Sequence, residues 1–146
     1  DLDYNDINSG ISNKLLNGTP SERCLDLMRE CTNVGINVFL ATKTLEYALC
    51  CSENNIDYLI KAIKNEYSRV GDALEDKISS LQDIHEKAAC IWLFIRSRDN
   101  CKGAIAQYIS QVISNQHDMK QRGEAVEKEF NIPEYLKNVV YYVTEE

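Results

Sequence analysis

The amino-acid sequence predicts an all-α protein: a disulfide-stapled bundle of six to seven amphipathic helices, with room for an apolar channel between them. Three observations carry this. Apolar residues recur at the helical period along nearly the whole chain, alternating strand patterns are confined to the tail, and six cysteines stand at positions 24, 31, 50, 51, 90 and 101. Two prolines and six glycines in 146 residues are too few to punctuate an all-β sandwich.

The first strong signal is a capping box, Thr19-Pro20-Ser21-Glu22, with Thr19 as N-cap and Pro20 at the first helical position. Behind it Cys24, Leu27, Met28 and Cys31 fall at i, i+3, i+4 and i+7 and form one face, until Gly35 ends the element. A second stripe runs through Val38, Ala41, Leu45, Ala48 and Leu49, and a third through Ile56, Leu59, Ile60, Ile63 and Tyr67. The fourth begins near Gly71, uses Leu74, Ile78, Leu81 and Ile84, and runs toward the block 88–95. That block is apolar on every face and is predicted to be fully buried. Residues 97–100 read as a turn, and Ile105, Tyr108, Ile109, Val112 and Ile113 as a further helix. The charged run Glu124, Glu127, Lys128 and Glu129 reads as an exposed helix face, and Pro133 restarts the chain into a short helix over 135–143.

Residues 1–146 read as a single helical domain. Hydrophobic residues make up 44% and charged residues 27%, ordinary usage for a chain that buries a core. With 23 acidic against 16 basic side chains the net charge is −7, which argues against nucleic acid or an anionic lipid surface as the main partner. No apolar run reaches the roughly 18 residues of a membrane span, so no membrane insertion is expected. An even number of cysteines without CxxC or His-rich spacing favours three disulfides over metal or redox chemistry, and with them secretion to an extracellular compartment. The start at Asp1, without an apolar leader, is what a mature secreted chain would show.

Cys24 and Cys31 are separated by six residues, and Cys31 and Cys50 by eighteen. Here the sequence resembles the insect chemosensory proteins, the OS-D-like family, whose signature is C-x6-C-x18-C-x2-C. Cys31-Thr32-Asn33-Val34-Gly35 looks like that family's C-T-P-x-G turn, Asp3-Tyr4-Asn5-Asp6-Ile7 like its Y-D-N-I-x opening, and Cys51-Ser52-Glu53 like its C-S-E-K-Q. Leu15-Leu16 falls where the family has paired leucines. The likeness covers residues 3–67, leaving 68–146 as additional helices and an extension. The family's last C-x2-C is here the adjacent pair Cys50-Cys51, and Cys90 and Cys101 have no counterpart. The resemblance implies an extracellular helical bundle around an apolar channel that carries fatty acids, alcohols or related semiochemicals. It also implies a Cys24–Cys31 bond, which requires the helix to end before Cys31. The remaining four cysteines are expected to pair Cys50 and Cys51 with Cys90 and Cys101.

Catalytic patterns are poor. His85 and His117 belong to no HExxH, metal-spaced or GxSxG context, so neither enzyme activity nor a cofactor or metal is expected. Short helices with one apolar stripe each must bury those stripes together and can leave a cavity. Leu27, Met28, Leu45, Leu49, Leu59, Ile63 and Tyr67 are the residues expected around it, with Tyr47, Tyr58 and Tyr108 at its rim. Two functions follow as expectations: a monomeric, non-catalytic carrier of a small apolar ligand or lipid, or a secreted module that binds a host or other extracellular protein.

Overall fold

Short polar side chains set four of the α-helix starts. In the computed structural model, which describes residues 3–98 and 100–144, the side chain of Asn8 accepts from the Ile11 amide and opens α1 (Ser9–Leu16). Ser21 does the same for Cys24 in α2 (Glu22–Asn33), and Thr44 for Tyr47 in α3 (Leu45–Cys50). The next pair, α4 (Glu53–Glu66) and α5 (Ser68–Ser80), meet at Tyr67. Asp83 accepts from both His85 and Glu86 and opens α6 (Ile84–Arg96). The longest helix is α7 (Cys101–Gln121), and α8 (Glu134–Thr144) follows Pro133. A 3-10 turn at Tyr4–Asp6 precedes them. Among the described residues there are eight α-helices and no strand, in keeping with the all-α reading.

The cap of α2 is Ser21 rather than Thr19, since Ser21 stands at the position from which its hydroxyl reaches Cys24 N–H. The second stripe contracts to the six residues of α3, because Thr44 caps the chain there and residues 36–44 stay outside any helix. The fourth stripe splits into α5 and α6 at the Asp83 cap. Residues 124–133 are an irregular strap rather than a helix; Gly123, at φ 73°, turns the chain out of α7.

α6 is apolar on all sides because it is covered on all sides. The 3-10 turn, α1, α3, α5 and α7 all pack on it, and each of its residues from 88 to 95 is buried. Phe94 is fully buried and meets Tyr4 and Tyr67 edge to face, with ring centroids 5.2 and 6.4 Å away. The Arg98 guanidinium caps the cluster 3.8 Å from the Phe94 ring centre. On the far side α4 packs between α5 and α7. In contrast α2 buries none of its residues, and neither does α8.

Gly71 makes the α4–α5 crossing possible. A Cβ there would lie 2.7 Å from Lys64 Cγ and, more tellingly, 3.0 Å from Lys64 Cα and 3.2 Å from its amide nitrogen. Backbone cannot swing aside as a side-chain tip can. Alanine gains about 1 kcal/mol of helix propensity, yet the forced separation of two packed helices outweighs it. Gly71→Ala is therefore expected to destabilise by about 1 to 2 kcal/mol, seen as a lower urea midpoint with an unchanged slope.

All six cysteines are free thiols in the structure, which shows none of the expected disulfide staples. For Cys24 and Cys31 the reason is geometric. α2 continues through both to Asn33, held by bonds such as Thr32 Oγ1 to the Met28 carbonyl at 2.8 Å. Seven residues of helix separate the two by about 10 Å, beyond bridging distance. Cys50 is the last residue of α3 and Cys51 its cap, as two neighbours at a helix end. Of their expected partners, Cys90 lies on the packed α6, near enough to Cys50 to help raise its thiol, and donates to the Tyr4 carbonyl at 3.4 Å, while Cys101 is buried at the start of α7. Burial pushes the thiols of Cys90 and Cys101 up to about 11 and that of Cys50 well above its ordinary value.

Candidate ligand groove

The face of α7 that turns toward α3 carries Lys102, Ile105, Ala106, Ile109 and Ile113, a run at helical spacing. α3 presents Leu45, Glu46 and Leu49 opposite them, two aliphatic side chains flanking one acid. The third wall is Phe130, Ile132 and Pro133 of the strap, closed at the end by Leu136 of α8. Together they enclose an apolar groove of about 490 Å³. It is open to solvent along its rim, where Leu45, Ile113 and Ile132 are 46%, 39% and 38% exposed.

The strap needs fastening, because an irregular segment of backbone carries amides and carbonyls that no helix satisfies. Asn55, fully buried on α4, supplies much of it. Its amide donates to the Leu49 carbonyl at 2.9 Å and to the Asn131 carbonyl at 2.8 Å, and its oxygen accepts from the Asn131 amide at 2.8 Å. Gln116 of α7 grips the same strap: its oxygen accepts from Phe130 N–H at 2.9 Å, while its nitrogen donates to the Lys128 carbonyl at 3.0 Å. Tyr58 also donates to that carbonyl, and Asp57 pairs with the Lys128 ammonium. Phe130 is thereby pressed into the core at 5% exposure, with its neighbour Ile132 left to face the groove.

One ion pair marks the polar end. Lys102 Nζ lies 2.8 Å from Glu46 Oε1. Burial alone would raise the Glu46 carboxyl, but the Lys102 ammonium and the Thr44 hydroxyl hold it below its ordinary value, so it is charged at neutral pH.

The structure does not gather the seven residues expected around a cavity. Leu45 and Leu49 line the groove, as expected of a ligand wall. Leu59 and Ile63 are fully buried in the packed core, filling space rather than bounding it. Tyr67 is occupied by Phe94, and Leu27 and Met28 lie on α2, where Leu27 is 58% exposed. Of the tyrosines, Tyr47 is fully buried with no hydrogen-bond partner for its hydroxyl among the described residues, and Tyr58 serves the strap. The groove residues that sequence reasoning missed are Ile105, Ile109 and Ile113 as a wall, and Phe130, Ile132 and Leu136 as its cover. The α7 stripe itself was legible; its partner, a strap folded back by a buried asparagine, carries no periodic signal.

Among the described residues no cluster of His, Cys, Asp and Glu could hold a metal ion, and no helix is long and apolar enough to cross a membrane. The chain matches no protein-family model, no curated protein and no solved structure.

Proposed function

We propose that this protein is a non-catalytic carrier of a small apolar or amphipathic ligand, held in the groove between α3, α7 and the 124–133 strap. The observation that carries the reading is the groove itself: about 490 Å³, within the usual range for small-molecule sites, with walls that are almost wholly aliphatic. The site differs in kind from the internal channel that the chemosensory resemblance implies, because the core around Leu59, Ile63 and Phe94 is filled. An extracellular setting and the chemosensory likeness belong to the same proposal and rest on the sequence motifs.

The test is displacement of an apolar fluorescent probe by dodecanol. Ala106 lines the groove and is exposed, so Ala106→Trp fills the groove at little cost to the fold. Ile113→Asp places a charge on the same wall. Each variant is expected to bind the probe at least about tenfold more weakly, with thermal unfolding within a few degrees of the parent. Unchanged affinity in both would remove the groove as the site.

A second reading has its own observation. Leu25 and Leu27 on α2, Val34, Ile36 and Leu40 after it, and Val140 to Val143 on α8 are all exposed. Phe39 and Tyr142, 5.8 Å apart between ring centroids, join the two segments. An apolar surface of this kind suits a protein-binding module, and loss of partner binding on Leu27→Asp and Tyr141→Asp would distinguish it from the carrier.

A further inference from the structure

Beside the groove, at the Glu46 and Lys102 end, lies a second depression of about 260 Å³, lined by Thr44, Glu46, Trp92, Ile95, Arg96 and Lys102. Glu46 and Lys102 belong to both. The two depressions are thus neighbours that share the Glu46–Lys102 ion pair as a common wall, the first mostly apolar and the second more polar. The second is cationic, although the chain as a whole carries −7. Lys43 Nζ lies 5.9 Å and the Arg96 guanidinium carbon 5.5 Å from the centre of the Trp92 ring. Among the described residues neither cation makes an ion pair. Lys102 is neutralised by Glu46, the acid in the lining of this depression, which leaves Arg96 in the lining and Lys43, outside the lining on the Trp92 ring, as two cations with no ion pair among the described residues. Trp92 Nε1 donates to Thr44 Oγ1 at 3.1 Å, which holds the ring as a fixed platform. The ring attracts both cations without cancelling their charge.

Resting on the carrier reading above, we propose that the ligand is a single-chain amphiphile with a phosphate monoester head. Its tail lies along the aliphatic wall of α7 and α3, and its head sits between Arg96 and Lys43 at the Trp92 platform. A guanidinium fork matches the paired oxygens of a phosphate, and an ammonium adds a second point charge. A dianionic head answers these two cations, which a carboxylate would leave half unmet. Inorganic phosphate would leave the apolar groove empty, and a neutral chain would ignore the cations. A phosphorylated chain uses both ends.

The experiment is displacement of N-phenyl-1-naphthylamine by dodecyl phosphate, dodecanol and dodecyltrimethylammonium, each below its micelle concentration, with inorganic phosphate as the head without a tail. Dodecyl phosphate is expected to displace the probe at about a tenfold lower concentration than dodecanol, the advantage of a charge-assisted contact. The quaternary ammonium should do no better than dodecanol, and inorganic phosphate should leave the probe bound. Arg96→Gln and Lys43→Gln should each remove most of the advantage while leaving dodecanol unchanged, and Glu46→Gln, which frees Lys102, should enlarge it. Equal displacement by dodecyl phosphate and dodecanol, or an advantage that survives in both Arg96→Gln and Lys43→Gln, would overturn the head site and leave the carrier reading standing. Failure of every dodecyl compound would instead overturn the carrier reading. Displacement by inorganic phosphate at the dodecyl phosphate concentration would overturn the role of the tail.

Discussion

Replacing Phe94 by alanine is expected to lower stability by about 3 to 5 kcal/mol. The side chain is fully buried in the last turn of the helix on which five other elements converge. Its loss removes apolar area from the core and leaves a void that neighbouring helices cannot collapse into without disturbing one another. It also strips Tyr4 and Tyr67 of their shared partner and the Arg98 guanidinium of the ring on which it rests. For a domain of this size the midpoint of thermal unfolding should fall by roughly 10 °C. Phe94→Leu, which keeps much of the volume, should lose clearly less. A calorimetric midpoint for Phe94→Ala within two or three degrees of the parent would mean that the cluster does not anchor the fold.

Asn55→Ala is the second large effect, and it acts through polarity rather than volume. Three hydrogen bonds converge on this one buried amide, and its removal leaves the Leu49 carbonyl and both backbone groups of Asn131 without their partner. Stranding buried polar groups is worth more than the bonds themselves, so a cost of about 2 to 4 kcal/mol is expected. The strap should then loosen at Asn131, while Tyr58, Asp57 and Gln116 still hold it at residues 128 and 130. Two readings follow in one protein sample: the Asn131 amide should exchange with solvent far faster than in the parent, and the apolar probe should lose affinity as the third wall of the groove loosens. Parental protection of the Asn131 amide in Asn55→Ala would show that the strap is held by its apolar contacts.

The helical class was legible because the stripes that announce it are the ones that pack. Leu59, Ile60 and Ile63 in α4 and Leu74 and Ile78 in α5 are all buried, and the apolar block on α6 is covered as its composition requires. Helix ends were harder. Ser21, Thr44 and Asp83 each compete with nearby polar residues of similar capping power, and which one wins depends on where the next helix must lie. α1 went unread because Ser9–Leu16 is short and polar, with just Ser12 and Leu15 buried. The face of Cys24, Leu27, Met28 and Cys31 has the spacing of a core stripe, yet Cys24, Met28 and Cys31 are just half-buried and Leu27 is exposed, since amphipathicity records a preference and not a partner. The groove was half legible for a related reason. Leu45 and Leu49 announce an apolar face, whereas Asn55 and the strap it fastens are joined by 76 residues of separation that no local pattern spans.

A helix with no buried residue keeps different time from the rest of its molecule. Isolated helices of about a dozen residues are marginal in water, so the free energy that opens α2 is small, while α6 opens at close to the cost of unfolding the whole domain. The chain thus runs on two clocks. An isolated helix of this length relaxes on the order of a microsecond, which is the expectation for α2, whereas α6 is expected to open only with the global event. Cys24 and Cys31 ride on the fast clock and Cys50, Cys90 and Cys101 on the slow one. The helix and a Cys24–Cys31 bridge are mutually exclusive geometries, so these two sulfurs can meet only in the intervals when α2 is a coil.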